Sequence, residues 1–179
     1  MADTDSVLVV VDMQNDFIDG ALGTPEAQAI LPGVIEKVRS FPGRVLYTLD
    51  THGEDYLDTQ EGANLPVVHC VKGTPGWQVP DALAAALAEK DARAYEKPSF
   101  GSVELARDLA GMNEKEPVSL IEFVGVCTDI CVVSNALLAK AYLPEVPVAV
   151  EASLCAGVTP EAHEAALATM ASCQVNVIR

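Results

Sequence analysis

The stretch from Ile121 to Leu138, IEFVGVCTDICVVSNALL, places the strongest constraint on the fold. It begins with an apolar run that has the length of a buried strand in a parallel sheet. Thr128 and Asp129 then supply side chains that are preferred at a helix N-cap, and apolar positions continue as far as Leu138. The stretch therefore predicts a strand, a tight turn that carries Cys127 and Cys131, and a helix.

Strands and helices alternate along the chain. The predicted strands are Ser6–Val11, Arg44–Leu49, Ala92–Glu96, Val118–Gly125, Val146–Val150 and Gln174–Ile178. The predicted helices run from Pro25 or Ala27 to Ser40 and over Asp81–Lys90, Gly101–Ala110, Asp129–Ala141 and Pro160–Ser172, whereas Met13–Gly23 and Thr51–Pro80 are predicted loops. Such alternation is typical of α/β proteins. We expect one domain over residues 1–179, a three-layer sandwich with a doubly wound, mostly parallel six-stranded sheet and helices on both faces.

Charge and cysteine content limit the partners and the location of the protein. The chain has 179 residues and a formal net charge of −15, which disfavours nucleic acid and anionic membranes as partners. Its five cysteines include no CxxC pair and fit a reducing cytosol better than a disulfide framework. No apolar run near the N-terminus is long enough to span a bilayer. We therefore expect a cytoplasmic protein, and its positive mean hydropathy hints at a homo-oligomer. The charge itself indicates no substrate, and the small-molecule substrate that we expect follows from the family resemblance described below.

Reactive side chains follow four of the predicted strands. Asp12, Asp50 and Lys97 stand at three strand ends, and Cys127 and Cys131 follow a fourth. Because α/β proteins bind ligands at the carboxyl ends of parallel strands, we expect these side chains to lie close together. Asp12 could accept the Cys131 proton, while Lys97 and the first turn of the helix favour a thiolate. The alternatives are that each Asp only caps the next helix and that each Cys is a small buried hydrophobe.

Two histidines and a carboxylate form a second candidate group. Asp50 precedes His52 by two positions, and His69 lies later in the same predicted loop. One carboxylate and two imidazoles suit zinc, iron or manganese. The alternative is that His69 is a hydrogen-bonded loop residue without a metal. His163 lies among acidic residues of the last helix and is predicted to be a solvated surface residue.

Seven segments, spread in order over nearly the whole chain, carry these residues. They are VVVDMQNDF (9–17), GAL (20–22), DTH (50–52), HCVKGTPG (69–76), EKPSFGS (96–102), GVCTDICV (125–132) and ASLCAGVTPEAH (152–163). Together they resemble the isochorismatase-like cysteine hydrolases, and within that family the nicotinamidases.

The resemblance implies a catalytic triad and an oxyanion hole. The triad would consist of Asp12, Lys97 and Cys131. The backbone N–H groups of Cys127 and Cys131 would form the oxyanion hole, after a cis peptide bond between Val126 and Cys127.

The resemblance also implies a metal site. Its ligands would be Asp50, His52 and His69, which family members that hydrolyse isochorismate generally lack. Glu61 stands nine residues after His52, where some bacterial nicotinamidases have an additional glutamate. The implied cofactor is one divalent transition metal, zinc in the first place, with iron and manganese as alternatives.

The implied substrate pocket departs from the family pattern at one position. Nicotinamidases commonly have an aromatic residue three positions before the second metal-binding His, and this chain has Pro66 there, next to Leu65. The expected pocket residues are Phe17, Phe100, Trp77 and Val126. We expect Phe17 to contact the substrate ring and Phe100 or Trp77 to supply a second aromatic contact.

The implied reaction converts nicotinamide and water to nicotinate and ammonia through a thioester, as a step of NAD salvage. One alternative is a related hydrolase that acts on another small amide, a ureido compound or a vinyl ether. A second alternative is a non-catalytic domain that binds a metal or ligand, or that uses Cys131 as a redox sensor.

Overall fold

A computed structural model describes residues 4–179, and its centre is one twisted sheet. The strands are β1 (Val7–Val11), β2 (Arg44–Asp50), β3 (Arg93–Lys97), β4 (Ile121–Val126), β5 (Val148–Ala156) and β6 (Asn176–Ile178). Their order across the sheet is β3-β2-β1-β4-β5-β6, and every neighbouring pair is parallel. The predicted α/β fold class is therefore confirmed, with a parallel sheet throughout the described residues rather than a mostly parallel one.

Helices cover both faces of this sheet. They are α1 (Asn15–Ile18), α2 (Pro25–Ser40), α3 (Gln60–Asn64), α4 (Asp81–Glu89), α5 (Val103–Lys115), α6 (Val133–Tyr142) and α7 (Pro160–Ser172). One core contains side chains of α5, α6 and α7, and the other contains side chains of α1, α2 and α4. None of the helices over residues 4–179 combines the length and the apolar character that crossing a bilayer requires.

Strand β1 lies at the centre of the sheet because its sequence, VLVVV, is apolar at every position. All five residues are buried, and alternate side chains enter the two cores: Val7 and Val9 one core, Leu8 and Val10 the other. This is the pattern of a strand that is covered on both faces. Threonine side chains cap two of the helices, since Thr24 and Thr159 accept hydrogen bonds from the backbone at the starts of α2 and α7.

Several predicted boundaries were wrong. The predicted loops Met13–Gly23 and Thr51–Pro80 contain short helices, namely α1, a 3₁₀ turn at Tyr56–Asp58 and α3. These helices have only three to five residues, too few to show a helical period in the sequence. Strand β5 also continues six residues beyond the predicted end at Val150, as far as Ala156.

The predicted helix Asp129–Ala141 begins differently from expectation. Residues Thr128–Val132 form one turn of π-helix that continues directly into α6. Helix α5 also differs, since it begins at Val103 and ends at Lys115 instead of Ala110.

Gly125 allows β4 to approach the end of β1. Its φ is +118°, and it pairs in register with Val11. A Cβ atom at position 125 would collide with the carbonyl oxygen of Val11. Both the backbone conformation and the close approach therefore require glycine next to the Val126–Cys127 peptide bond, which is cis as the resemblance implied.

We expect the substitution Gly125→Ala to lower the free energy of unfolding by about 2–4 kcal/mol, because it adds both strain and a collision. Gly111→Ala is the matched control. Gly111 lies in α5 with open space around it, so alanine should stabilise the protein by roughly 0.5–1 kcal/mol. Denaturant titration measures both values, and equal effects of the two substitutions would contradict this account of Gly125.

Candidate active site

The parallel strands bring three of the predicted residues into contact. Asp12 directly follows β1, Lys97 is the last residue of β3, and Cys131 lies in the π turn after β4. The Lys97 ammonium nitrogen lies 2.7 Å from Asp12 Oδ2 and 3.4 Å from Cys131 Sγ. All three side chains are buried, so the contacts form in a site of low dielectric constant.

Asp12 is held in an unusual backbone conformation. Its φ is +47°, in the left-handed region, and its backbone N–H donates to Thr48 Oγ1 at 3.2 Å. The Thr48 hydroxyl in turn donates to Asp12 Oδ1 at 2.6 Å. Asp12 Oδ2 has no hydrogen bond of good geometry, so its contact with Lys97 is an ion pair that leaves a lone pair available. Burial raises the pKa of Asp12, and the nearby Lys97 charge opposes this rise.

Lys97 joins this cluster to the candidate metal site. Besides Asp12 and Cys131, its ammonium group lies 3.3 Å from Asp50 Oδ1, its register partner in β2. Burial alone would lower the pKa of Lys97, but the charges of Asp12, Cys131 and Asp50 together outweigh it and raise the pKa. Lys97 is therefore a permanent cation between two carboxylates.

The pKa of the Cys131 thiol is shifted in the direction opposite to the one expected from its sequence position. Burial raises the pKa of the Cys131 thiol well above the usual value, and the Asp12 charge raises it further. Cys131 lies in a buried π turn beside a carboxylate, and this setting opposes the expected thiolate, while the Lys97 charge favours it. A neutral thiol with a carboxylate nearby needs that carboxylate to remove its proton before it can attack a substrate.

The four predicted metal ligands lie together beside this cluster. Each of these residues, Asp50, His52, Glu61 and His69, offers one ligand atom, and all four atoms lie within 4.8 Å of one another. Asp50 Oδ2 is 3.0 Å from His52 Nε2 and 3.4 Å from His69 Nε2. Glu61 Oε1 is 3.8 Å and 3.9 Å from the same two nitrogens.

These distances and charges fit a divalent cation. Metal–ligand bonds of about 2.1 Å place neighbouring ligand atoms roughly 3–3.5 Å apart, close to the observed separations. His69 Nδ1 lies 2.8 Å from the Val67 carbonyl oxygen, which favours a proton on Nδ1 and leaves Nε2 free to ligate. Burial and the Asp50 charge raise the pKa of Glu61, a like-charge conflict that a cation would relieve.

Backbone bonds and an aromatic side chain hold the two histidines. The His52 N–H donates to the Cys70 carbonyl, and Lys72 N–H donates to the His52 carbonyl, both at 3.0 Å. The buried Tyr56 ring packs against both imidazoles, with centroids 4.7 Å from His52 and 5.0 Å from His69. The loop therefore packs against the protein around His52 and His69.

The polar residues after β1 fasten the same loop. The Gln14 amide donates to the carbonyls of Asp50 and Trp77, and its oxygen accepts from the Asp50 N–H at 2.7 Å. Asp16 Oδ2 accepts from the Cys70 N–H at 2.7 Å. The sequence analysis did not assign this role to Gln14, although a polar residue three positions after a fully buried strand was a visible signal.

A cavity of about 330 Å³ connects the two clusters. Cys127 and Cys131 line it on one side, and Asp50, Glu61 and His69 line it on the other. The remaining lining residues, mostly apolar, are Phe17, Leu22, Thr24, Leu65, Phe100, Ile130 and Val158. The structure thus places the predicted pocket residues Phe17 and Phe100 in this cavity, together with aliphatic residues that were not predicted.

Two predicted pocket residues lie elsewhere. Trp77 lines a separate surface pocket with Tyr47 and Leu49, and its indole N–H donates to Thr51 Oγ1 at 2.9 Å. The Val126 side chain is buried in the core that contains α2. Both residues were expected from the family resemblance, which does not specify side-chain direction in this chain. Leu65, not an aromatic residue, forms the cavity wall next to Pro66.

His163 is not the solvated residue that was predicted. It is half-buried, and its Nδ1 lies 2.8 Å from the hydroxyl of Thr128, at the start of the π turn. The Asp129 carboxylate accepts from the Val158 N–H at 3.0 Å. The π turn is therefore held against the start of α7 by two side-chain contacts.

Comparisons with known proteins agree with this geometry. A nicotinamidase/pyrazinamidase of Mycobacterium tuberculosis is 29% identical over 184 residues, covering 96% of this chain and 97% of its own length. A nicotinamidase of Schizosaccharomyces pombe is 26% identical, covering 96% of this chain and 91% of its own. The crystal structure of a Pyrococcus horikoshii pyrazinamidase in complex with zinc superimposes with a TM-score of 0.80 at 29% identity, covering 98% and 99% of the two chains.

The sequence profile of the isochorismatase domain matches residues 6–179, which include every residue of the two clusters. The fold, the profile and these relatives agree on one assignment. The chain belongs to the isochorismatase domain family and is a hydrolase that resembles the nicotinamidases within it.

Proposed function

We propose that this hydrolase cleaves the amide bond of nicotinamide, releasing nicotinate and ammonia as a step of NAD salvage. The observation that carries the proposal is that Cys131 and three members of the candidate metal cluster line one cavity. The similarity to nicotinamidases over nearly the full chain supports it.

In the first half of the reaction, Asp12 takes the proton from Cys131, and the sulfur attacks the amide carbon. Burial raises the pKa of Asp12, which makes its carboxylate a stronger base than an exposed one. The backbone N–H groups of Cys127 and Cys131 would hold the oxyanion, each contributing about 2.7–4 kcal/mol to the transition state. The C–N bond then breaks, Asp12 returns its proton to the departing ammonia, and a thioester remains.

In the second half, a water molecule replaces the ammonia. Asp12 takes a proton from this water, and the resulting hydroxide attacks the thioester carbon. The C–S bond breaks, and the proton on Asp12 returns to the Cys131 sulfur. Lys97 keeps its charge throughout, so it stabilises the Asp12 carboxylate and the developing negative charge on sulfur without giving up a proton.

Asp50, His52, His69 and Glu61 would hold the divalent metal. When bound, this ion would act as a Lewis acid toward the pyridine nitrogen and so orient the ring. Phe17 is well placed to support that orientation, because its ring lies 5.5 Å from the His69 imidazole and lines the cavity.

We expect nicotinamide and pyrazinamide to be hydrolysed, and benzamide to be poorer by roughly 10²-fold or more in kcat/KM. All three carry the amide, but only the first two have a ring nitrogen meta to it. Ammonia release from metal-loaded protein measures the ratio, and Cys131→Ala provides the blank. Equal rates on benzamide and nicotinamide would refute ring anchoring. Hydrolysis of an unrelated small amide, with no hydrolysis of nicotinamide, would show that the substrate is a different one.

We also expect one divalent metal ion per chain and its loss in the double variant His52→Ala/His69→Ala. Elemental analysis after loading and dialysis measures the stoichiometry. Metal at 100 times its dissociation constant should stabilise the native protein by about 2.7 kcal/mol, and the double variant should not respond.

The matched control is His163→Ala, which removes the remaining histidine and leaves the cluster intact. It should bind metal like the native protein. Stoichiometric metal in the double variant would show that the site lies elsewhere.

A further inference from the structure

Asn135 connects the turn that carries Cys131 to a second segment of the site. It lies on α6, four residues after Cys131, and its side chain is buried. Its Nδ2 donates to the Cys131 carbonyl at 2.8 Å and to the Phe100 carbonyl at 3.1 Å, while its Oδ1 accepts from the Ser102 N–H at 2.9 Å. Both amide hydrogens and the oxygen are thus engaged with backbone groups of two separate segments.

The segment on the far side of this bridge is short and fixed at both ends. It runs from Lys97, the last residue of β3, to Ser102, whose hydroxyl accepts from the Leu105 N–H and caps α5. Between them, Gly101 lies so close to α6 that a Cβ atom there would meet the Leu138 side chain. The distance between this segment and α6 therefore depends on the α6 side chains that face the segment.

Two members of the site belong to this segment. The Lys97 ammonium group contacts Asp12 and Cys131, and Phe100 lines the cavity. A shift of the segment relative to the π turn would change the Lys97–Cys131 distance and the cavity wall together. The bridge through Asn135 adds three hydrogen bonds that oppose such a shift, besides the contact between Lys97 and Cys131.

We propose that Asn135 is a positioning residue that sets Cys131 against the Lys97–Ser102 segment. Its kinetic consequence rests on the proposed function, because it assumes that Cys131 attacks the substrate. Without the Asn135 amide, three backbone groups lose a hydrogen bond, two of them in buried surroundings, and the two segments are held together less firmly. Misplacement of reacting groups by about 1 Å can cost roughly 10²-fold in rate, which sets the scale of the expected effect.

The variants Asn135→Ser and Asn135→Ala separate the two halves of the bridge. A serine hydroxyl can reach the carbonyl four residues earlier, as Ser134 does with Ile130 at 2.6 Å, but it is too short to reach the 97–102 segment. We therefore expect both variants to lose roughly 10²-fold in kcat and to raise KM, since Lys97 and Phe100 shift together. Near-native kinetics in a folded Asn135→Ser would show that the bond to Cys131 alone matters and would overturn the bridge.

Ser134→Ala is the matched control. It removes a hydrogen bond from α6 to the same π turn without touching the segment. It should therefore keep near-native kcat and KM. A loss as large as that of Asn135→Ala would mean that any weakening of the turn suffices and would also overturn the bridge.

Alkylation of Cys131 by iodoacetamide gives a readout that needs no substrate. The exposed Cys173 serves as an internal reference in the same chain. At temperatures where circular dichroism shows each variant to be folded, Cys131 should react more slowly in both Asn135 variants, because the Lys97 ammonium group moves away from the sulfur and no longer stabilises the thiolate. An unchanged ratio of Cys131 to Cys173 labelling in folded protein would refute the proposal.

The two readouts also distinguish the proposal from the proposed function. If native protein releases no ammonia from nicotinamide and the Asn135 variants still slow Cys131 labelling, the substrate assignment fails and the positioning role stands. If native protein is active and both readouts are unchanged in the folded variants, the positioning role is refuted and the proposed function stands.

Discussion

The site depends on one buried cation. Lys97 lies at the end of β3 with its ammonium group in contact with Asp12, Asp50 and Cys131, and its side chain is 1% exposed. Burying an ammonium group is costly unless carboxylates compensate for it. Asp50 is the register partner of Lys97 in β2, and Asp12 directly follows β1. Because Asp50 also faces the histidines, the same ion pair joins the cysteine cluster to the candidate metal cluster. Removing Lys97 would leave two buried carboxylates facing each other.

Charge balance extends this argument to the metal. The carboxylates of Asp12, Asp50 and Glu61 and the ammonium of Lys97 leave an excess of two negative charges in a largely buried site. A divalent cation between Asp50 and Glu61 would neutralise that excess. The loop that carries the histidines is held by Gln14 and Asp16, so the segment after β1 supports both clusters from one position.

The sequence was sufficient to predict the strand-end residues but not the contacts that orient them. Asp12, Asp50 and Lys97 were predictable because parallel strands end at one edge of the sheet. The positions of Trp77 and Val126 were not, since side-chain direction in a loop and at the end of a strand depends on tertiary packing. The raised pKa of Cys131 results from burial beside Asp12, which no local pattern shows. The role of Asn135 was not predicted, because its three partners are backbone groups. One partner lies four residues earlier in the chain, and the other two lie more than thirty residues earlier.

The central claim is that the Asp12–Lys97–Cys131 cluster makes Cys131 a nucleophile that forms a thioester. Mass spectrometry of protein quenched in acid during turnover of nicotinamide tests it most directly, since the acyl group stays on the attacking sulfur. The account predicts a nicotinoyl group on the peptide that contains Cys131, at the Cys131 sulfur and not at Cys127. An acyl group on Cys127, or steady ammonia release with no acylated cysteine in native protein, would contradict it.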